Sequence, residues 1–345
     1  MIMKNLLIYL IVLCFPIICA RYVCGGGGQN KLVVLDRDHT VISRGIAAIC
    51  IMTQHITNDL GMNIFTMLGG TGVAIFLILS GFGLNESFHK HGLERYWKKR
   101  LENVFLVYAL FELLMVPIRK DWSGIIPFLL DITCLKTKAW FLHYLLILYV
   151  CYWLIGKFIQ KNQMKTVCWI FIAVVTLIFG SDLEREQAVS FAFGILLSEN
   201  KEKVVEYLSI KENGIKITAL SITVSFLFLF LKHTTYVRAL FGTVPYAFVQ
   251  IGIKIPLAIG IMLAICLLSC FFNSVPFKML GKISFELYLV HLVLLRFFDM
   301  LTMTKSMLIN VVIVVWGSIF EAYAYNLLCS KLKKECRRGK NGYKK

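Results

Sequence analysis

Arg44-Gly-Ile-Ala-Ala-Ile-Cys-Ile-Met-Thr-Gln-His55 is an apolar segment with an ionisable residue at each end. Eleven positions separate the two. At 100° per residue that is about 20° past three full turns, so both side chains share one helix face. With a rise of ~1.5 Å per residue they stand ~16.5 Å apart along the axis. Ionisable groups at membrane depth are costly, and as a rule they face a bundle interior or a watery cavity and mark a site. The spacing predicts an enclosed helix with a cation near one membrane surface and an imidazole roughly halfway into the bilayer. The competing reading is an arginine that snorkels and a histidine that only hydrogen-bonds a neighbouring helix. The rest of the chain has to decide.

Working outward, apolar residues make up 58% of the 345 and the mean hydropathy is +0.72. Soluble domains hold about 45–50% apolar residues, so this chain is expected to be an all-α, polytopic transmembrane helix bundle. A net charge of +17 invites a nucleic-acid reading, but its distribution follows membrane topology instead. The eleven cysteines are an odd number, fall mostly inside apolar runs and form no Cys-x-x-Cys pair. They read as small buried thiols rather than a disulfide or metal framework. His89 and His91 have no metal-ligand spacing either, and no metal is expected. Lys4 followed by the apolar run from Leu6 to Ala20 resembles a signal peptide. The residues before Cys19 and Cys24 make no convincing cleavage or lipid-attachment site, so an uncleaved first helix is expected.

Eleven spans are predicted, at 6–23, 44–60, 67–86, 102–118, 139–156, 166–180, 187–198, 216–231, 255–273, 280–297 and 307–329. Those around Arg44, Gln187 and Gly281 are too short or too polar for lipid-facing helices and are expected to be enclosed by the others. Gly25–Gly28 reads as a flexible break, and 122–135 as a lid or short re-entrant piece at the interface. Lys and Arg fix the orientation. Of the 37, 26 fall on one alternating set of connections, while Asp182, Glu184 and Glu186 cluster on the other. By the positive-inside rule the N-terminus lies outside and the C-terminus in the cytoplasm of what reads as a multi-pass plasma-membrane protein. Residues 1–43 then hold the first span and a cytoplasmic linker, 44–329 the other ten spans, and 330–345 a basic cytoplasmic tail.

A cytoplasmic cation above a buried imidazole, next to a basic stretch at Lys90–Arg100, suits an anionic donor that threads a thin arm inward. Coenzyme A has that form, with phosphates at one end, a long pantetheine arm, and a thioester at the other. Arg44 and the basic stretch would hold phosphates while His55 meets the acyl group. An imidazole with a pKa near its usual ~6.5 can take a proton from an attacking hydroxyl, or carry the acyl group briefly. Ordinary positive-inside charge is the alternative reading of the basic stretch.

Five motifs in a fixed order now resemble the acyltransferase-3 family of bacterial integral-membrane acyltransferases. They are Arg44-x10-His55; Gly72 through Ser80-Gly81-Phe82; Tyr96-Trp-Lys-Lys-Arg100 leading to Tyr108; Trp140-Phe-Leu; and Gly281-Lys-Ile-Ser284-Phe-Glu286-Leu-Tyr288-Leu-Val-His291. The likeness runs from Arg44 to about Tyr325. It implies that His55 is catalytic, that Arg44 is functional, and that acetyl-CoA or another acyl-CoA is the cytoplasmic donor, with no permanently bound cofactor. It implies a hydroxyl acceptor on a polysaccharide or lipid-linked glycan. The family's Arg-x-x-Arg is Arg100-x-x-Asn103 here, and Leu106 replaces a proline common before the tyrosine. Asn103 can hydrogen-bond a phosphate without adding charge, and Lys98 or Lys99 would compensate as point charges. Donor binding is therefore expected from Arg44, Lys98, Lys99, Arg100 and Asn103.

Glu286 is the carboxylate expected to orient His55 or the acceptor, an internal ion pair being its alternative. It does not share a straight-helix face with His291, since five positions put them about 140° apart. Ser80 has no base beside it, and small residues there more often allow close helix packing. His143 and Glu112 read as glue between helices. The partners implied are acyl-CoA, a glycan acceptor and membrane lipid, without nucleic acid; a homo-oligomer is compatible with the sequence. The alternative function is a transporter or exporter of glycan or small substrate, because buried ionisable residues also line transport paths. No clear inverted repeat favours it.

Overall fold

The computed structural model describes residues 7–14, 18–19, 31–119, 124–135, 139–299 and 301–342, and every regular element among them is helical. The principal elements are α1 (Arg37–Asp59), α2 (Thr66–His91), α3 (Tyr96–Ile118), α4 (Ile125–Ile132), α5 (Trp140–Phe158) and α6 (Asn162–Phe179). They continue with α7 (Ser190–Glu199), α8 (Lys211–Lys232), α9 (Val244–Leu267), α10 (Val275–Lys282), α11 (Ser284–Leu292) and α12 (Met307–Gly342). Seven of these, α2, α3, α5, α6, α8, α9 and α12, are long and apolar enough to cross a membrane. The chain is an all-α polytopic membrane bundle. The segments that fall short, α1, α7 and the broken α10–α11 rod, are those whose polarity or length set them apart in the sequence. The predicted first span is described only at 7–14 and 18–19; Gly25–Gly28 lies outside the described residues.

Four boundaries differ from the sequence reading, each for a local reason. α1 starts at Arg37 rather than 44, because Asp36 caps it by accepting the His39 amide at 2.6 Å. The polar first turns are also satisfied inside the fold. His39 Nδ1 accepts the Leu35 amide at 3.0 Å, its Nε2 lies 2.8 Å from the Met262 carbonyl, and Lys278 pairs with Asp38 at 2.5 Å. α3 starts at Tyr96, after a turn in which Gly92 and Arg95 both take positive φ, so Lys98–Arg100 are helical rather than loop residues. α9 starts at Val244, capped by Thr243, eleven residues before the predicted span at 255. α12 runs on to Gly342, so the helix continues through residues 330–342.

Contacts divide the chain into two units. One comprises Pro16–Leu93 and Ile147–Lys282, and holds α1, α2 and α6 to α10. Its helices meet backbone to backbone. A Cβ on Gly45 would stand 2.7 Å from the Gly281 nitrogen, and one on Gly281 would collide with the Val41 carbonyl, so α10 lies directly on α1. Gly81 and Gly194 do the same for α2 and α7, each facing a carbonyl of the other helix. The Gly281 and Ser80-Gly81 motifs are thus close-packing positions.

The other unit comprises Met1–Phe15, Glu94–Leu146 and Ile283–Lys345. Here Tyr325 of α12 donates to the Val107 carbonyl of α3 at 2.5 Å, and Trp316 to the Val12 carbonyl at 2.8 Å. Tyr108 donates to Asp131 of α4 at 2.7 Å, and His143 Nδ1 lies 2.8 Å from the Cys134 carbonyl. These bonds tie down an α4 whose Ile125, Ile126 and Leu129 remain exposed, the pattern expected of a helix lying at the membrane interface. His143 is a tether between helices. Trp122, at the start of the predicted lid, lies outside the described residues.

Candidate functional site

Arg44 and His55 both lie on α1. The earlier start of that helix corrects their placement: Arg44 is seven residues, ~10.5 Å, inside the N-terminal end, and His55 is one turn from Asp59. The cation is therefore not at the mouth of the helix, and the imidazole is not at its middle. Both side chains are half-buried. The Arg44 guanidinium points at α2, with Nη2 3.8 Å from where a Gly83 Cβ would stand. It makes no hydrogen bond or salt bridge among the described residues. Tyr149 is its electrostatic neighbour, but a cation without a hydrogen bond or ion pair among the described residues is costly to keep inside an apolar bundle, which favours a ligand role over a structural one.

The two helices run antiparallel in a register that glycines define. A Cβ on Gly72 would lie 2.5 Å from the Ala47 carbonyl, and a Cβ on Gly69 would strike the Gln54 side chain. The His55 end of α1 thus faces the first turns of α2, while Arg44 faces its later turns. Around Gly70 several polar side chains gather. Gln187 donates through Nε2 to the Gly70 carbonyl at 2.8 Å, and its Oε1 accepts from the Ser190 hydroxyl, also at 2.8 Å. Lys254 of α9 packs its stem on Gly70 and pairs with Glu186. Tyr246, Gln250 and Lys254, spaced four apart, form a buried polar stripe along α9, with Gln250 donating to the Tyr246 hydroxyl at 3.1 Å. Sequence reasoning missed this stripe. Gln250 and Lys254 made residues before 255 look too polar to span, when polar residues at a helical spacing of four were the signal for an enclosed face.

The remaining expected residues belong to the other unit. Arg100 stacks its guanidinium 4.4 Å from the Tyr96 ring centre and donates to the Tyr96 carbonyl at 3.3 Å. Lys98 and Lys99 are exposed, Lys98 standing 4.0 Å from Glu102. Asn103 is exposed within a π-turn at Leu101–Phe105. Such widened turns are frequent at functional sites, and this one moves Asn103 off the α-helical register with Arg100. Lys333 of α12 donates to the Asn103 side chain at 3.2 Å, so a cation does stand at that position, supplied from elsewhere in the chain. Glu286 is buried and accepts from Asn326 at 2.7 Å; it forms no salt bridge among the described residues, though the Lys333 charge acts on it. His291 is buried on the same helix, with Nδ1 3.1 Å from the Leu287 carbonyl. Burial, with Asp131 and Glu112 nearby, pushes the Cys134 thiol up to about 12, so it is neutral at pH 7 and no reserve nucleophile.

Seven helices long and apolar enough to cross a membrane define the class as an integral-membrane helical protein. Residues 42–326 match the acyltransferase domain of the acyltransferase-3 type, and with most of its length inside the match the chain belongs to that family of membrane acyltransferases. No curated protein and no solved structure matches the chain.

Proposed function

We propose that the protein transfers an acetyl or other short acyl group from acyl-CoA to a hydroxyl of a polysaccharide or lipid-linked glycan. The observation that carries this reading is the Arg44 guanidinium, which has no hydrogen bond or salt bridge among the described residues and lies on the same face of α1 as His55, ~16.5 Å away. That distance is on the order of the pantetheine arm, so a phosphate held at Arg44 leaves the thioester near His55. Lys98, Lys99 and Arg100, with Asn103 and its Lys333 partner, supply further phosphate contacts. His55 then takes the proton from the acceptor hydroxyl as its oxygen attacks the thioester carbonyl. The carbon–sulfur bond breaks, and the CoA thiolate leaves and recovers the proton. If His55 instead carries the acyl group, the same bonds change in two steps. Glu286 is retained as the carboxylate that orients His55 or the acceptor.

The donor enters from the cytoplasm, with the N-terminus outside and the C-terminus inside; membrane lipid is the only other required partner, and a homo-oligomer is compatible with the scheme. Release of CoA from acetyl-CoA by purified protein, with and without a panel of glycans, tests the reading. Acceptor-dependent CoA release supports it. Transport of a glycan without any CoA release overturns it in favour of the transporter alternative.

A further inference from the structure

The Lys254–Glu186 pair has more hydrogen-bonding capacity than the fold uses. The two side chains are 8% and 12% exposed, and beyond their mutual bond neither forms another among the described residues. A lysine ammonium has three donors and a carboxylate has two acceptor oxygens. Two N–H groups and one oxygen are therefore left to meet water or a ligand in a largely buried place. Neighbouring groups add to it. The Gln54 side chain, against Gly69, makes no hydrogen bond among the described residues, and the Gln250 carbonyl oxygen has none either. The pair is also well placed. It lies at Gly70, one residue along α2 from the position that Gln54 touches, hence at the His55 level of α1. Arg44 faces Gly83, thirteen residues and ~20 Å further along α2. The stripe Tyr246–Gln250–Lys254 leads to the pair from the N-terminal end of α9.

Resting on the acyl-transfer reading, we infer that Lys254 and Glu186 are the acceptor-recognition pair and bind two adjacent hydroxyls of a sugar ring. A vicinal diol fits this pair in both senses. One hydroxyl oxygen accepts from the ammonium while its neighbour donates to the carboxylate. A simple alcohol engages half of the pair. The pair is a specificity device and takes no part in the bond changes.

The test uses the full-length protein in lipid nanodiscs, a panel of methyl hexosides, and the monodeoxy forms of the best-bound member. Glycoside binding is read directly by equilibrium titration, and transfer from acetyl-CoA separately. Glu186→Gln and Lys254→Met are expected to weaken the hexoside at least 10-fold while CoA affinity stays within twofold. One or two monodeoxy probes should lose a similar factor on the wild type and lose nothing further on the variants. Lys254→Met/Glu186→Leu, which leaves no lone buried charge, serves if either single variant fails to fold. Wild-type hexoside affinity in the folded variants, or equal binding of every monodeoxy probe by the wild type, overturns the inference. If hexosides bind as expected but no CoA is released with any of them, the diol site stands and the acyl-transfer reading fails.

Discussion

Replacing Arg44 by Met separates a ligand role from a structural one, because the two predict opposite signs for stability. Arg44 has no hydrogen bond or salt bridge among the described residues, and the apolar stem of Met fills much of the same space beside Gly83. Removing it orphans no protein group. A cation near the centre of a membrane helix costs roughly 2.5–3.5 kcal/mol on insertion scales, so the apo variant should melt at the same temperature as the wild type or higher. Donor binding should move the other way. Hydrogen bonds to charged groups contribute about 1.5–3 kcal/mol, so loss of the phosphate contact should raise the CoA dissociation constant about 10- to 150-fold. Arg44→Lys keeps the charge without the planar fork and should fall between the two. Calorimetric titration of CoA and thermal melting of the same purified samples give both numbers. Unchanged CoA affinity removes Arg44 from the donor site. A destabilisation of about 3–5 kcal/mol, the cost of breaking a buried ion pair, would show that the guanidinium serves the fold.

Four further outcomes follow from the same geometry. His55→Ala should lower transfer about 10²–10⁴-fold with the protein still folded and inserted, measured by CoA release; full activity in the variant refutes a role as base or acyl carrier. Lys333→Ala and Arg100→Ala should each weaken CoA in a salt-dependent way, whereas Asn103→Arg, which restores a forked cation but crowds Lys333, should tighten CoA more strongly when combined with Lys333→Ala; titration against ionic strength decides. Gly281→Ala drives a Cβ into the Val41 carbonyl and should reduce folded yield and melting temperature, an effect that gel filtration and melting would expose as absent if α1 and α10 can part freely. A reporter fused after Lys345 should be cytoplasmic and one inserted near Asp182 external; a cytoplasmic Asp182 reverses the donor side.

What could be read from the sequence and what could not divide along one physical line. Apolar content and the helical period of the Arg44–His55 stretch were enough for an all-α bundle, because a membrane leaves the backbone few alternatives. Gly281 and Gly81 were legible as motifs, and their cause is visible only when the Val41 and Phe191 carbonyls arrive opposite them. Two of the misplaced boundaries, the starts of α1 and α9, sit where polar side chains are satisfied by distant partners. Arg37 to His39 read as loop until Met262 and Lys278 supplied their bonds, and Lys254 read as the edge of a span until Glu186 lay beside it. Lys333 reaching Asn103 across 230 positions is the same effect in the other unit. Hydropathy charges each polar residue its full desolvation cost, whereas the fold charges only what its partners leave unpaid. Arg44 has no hydrogen bond or salt bridge among the described residues, and its spacing from His55 is what first pointed to a ligand. In an enclosed helix a polar residue explained by a distant partner belongs to the fold, and one left unexplained by any is where a substrate should be sought.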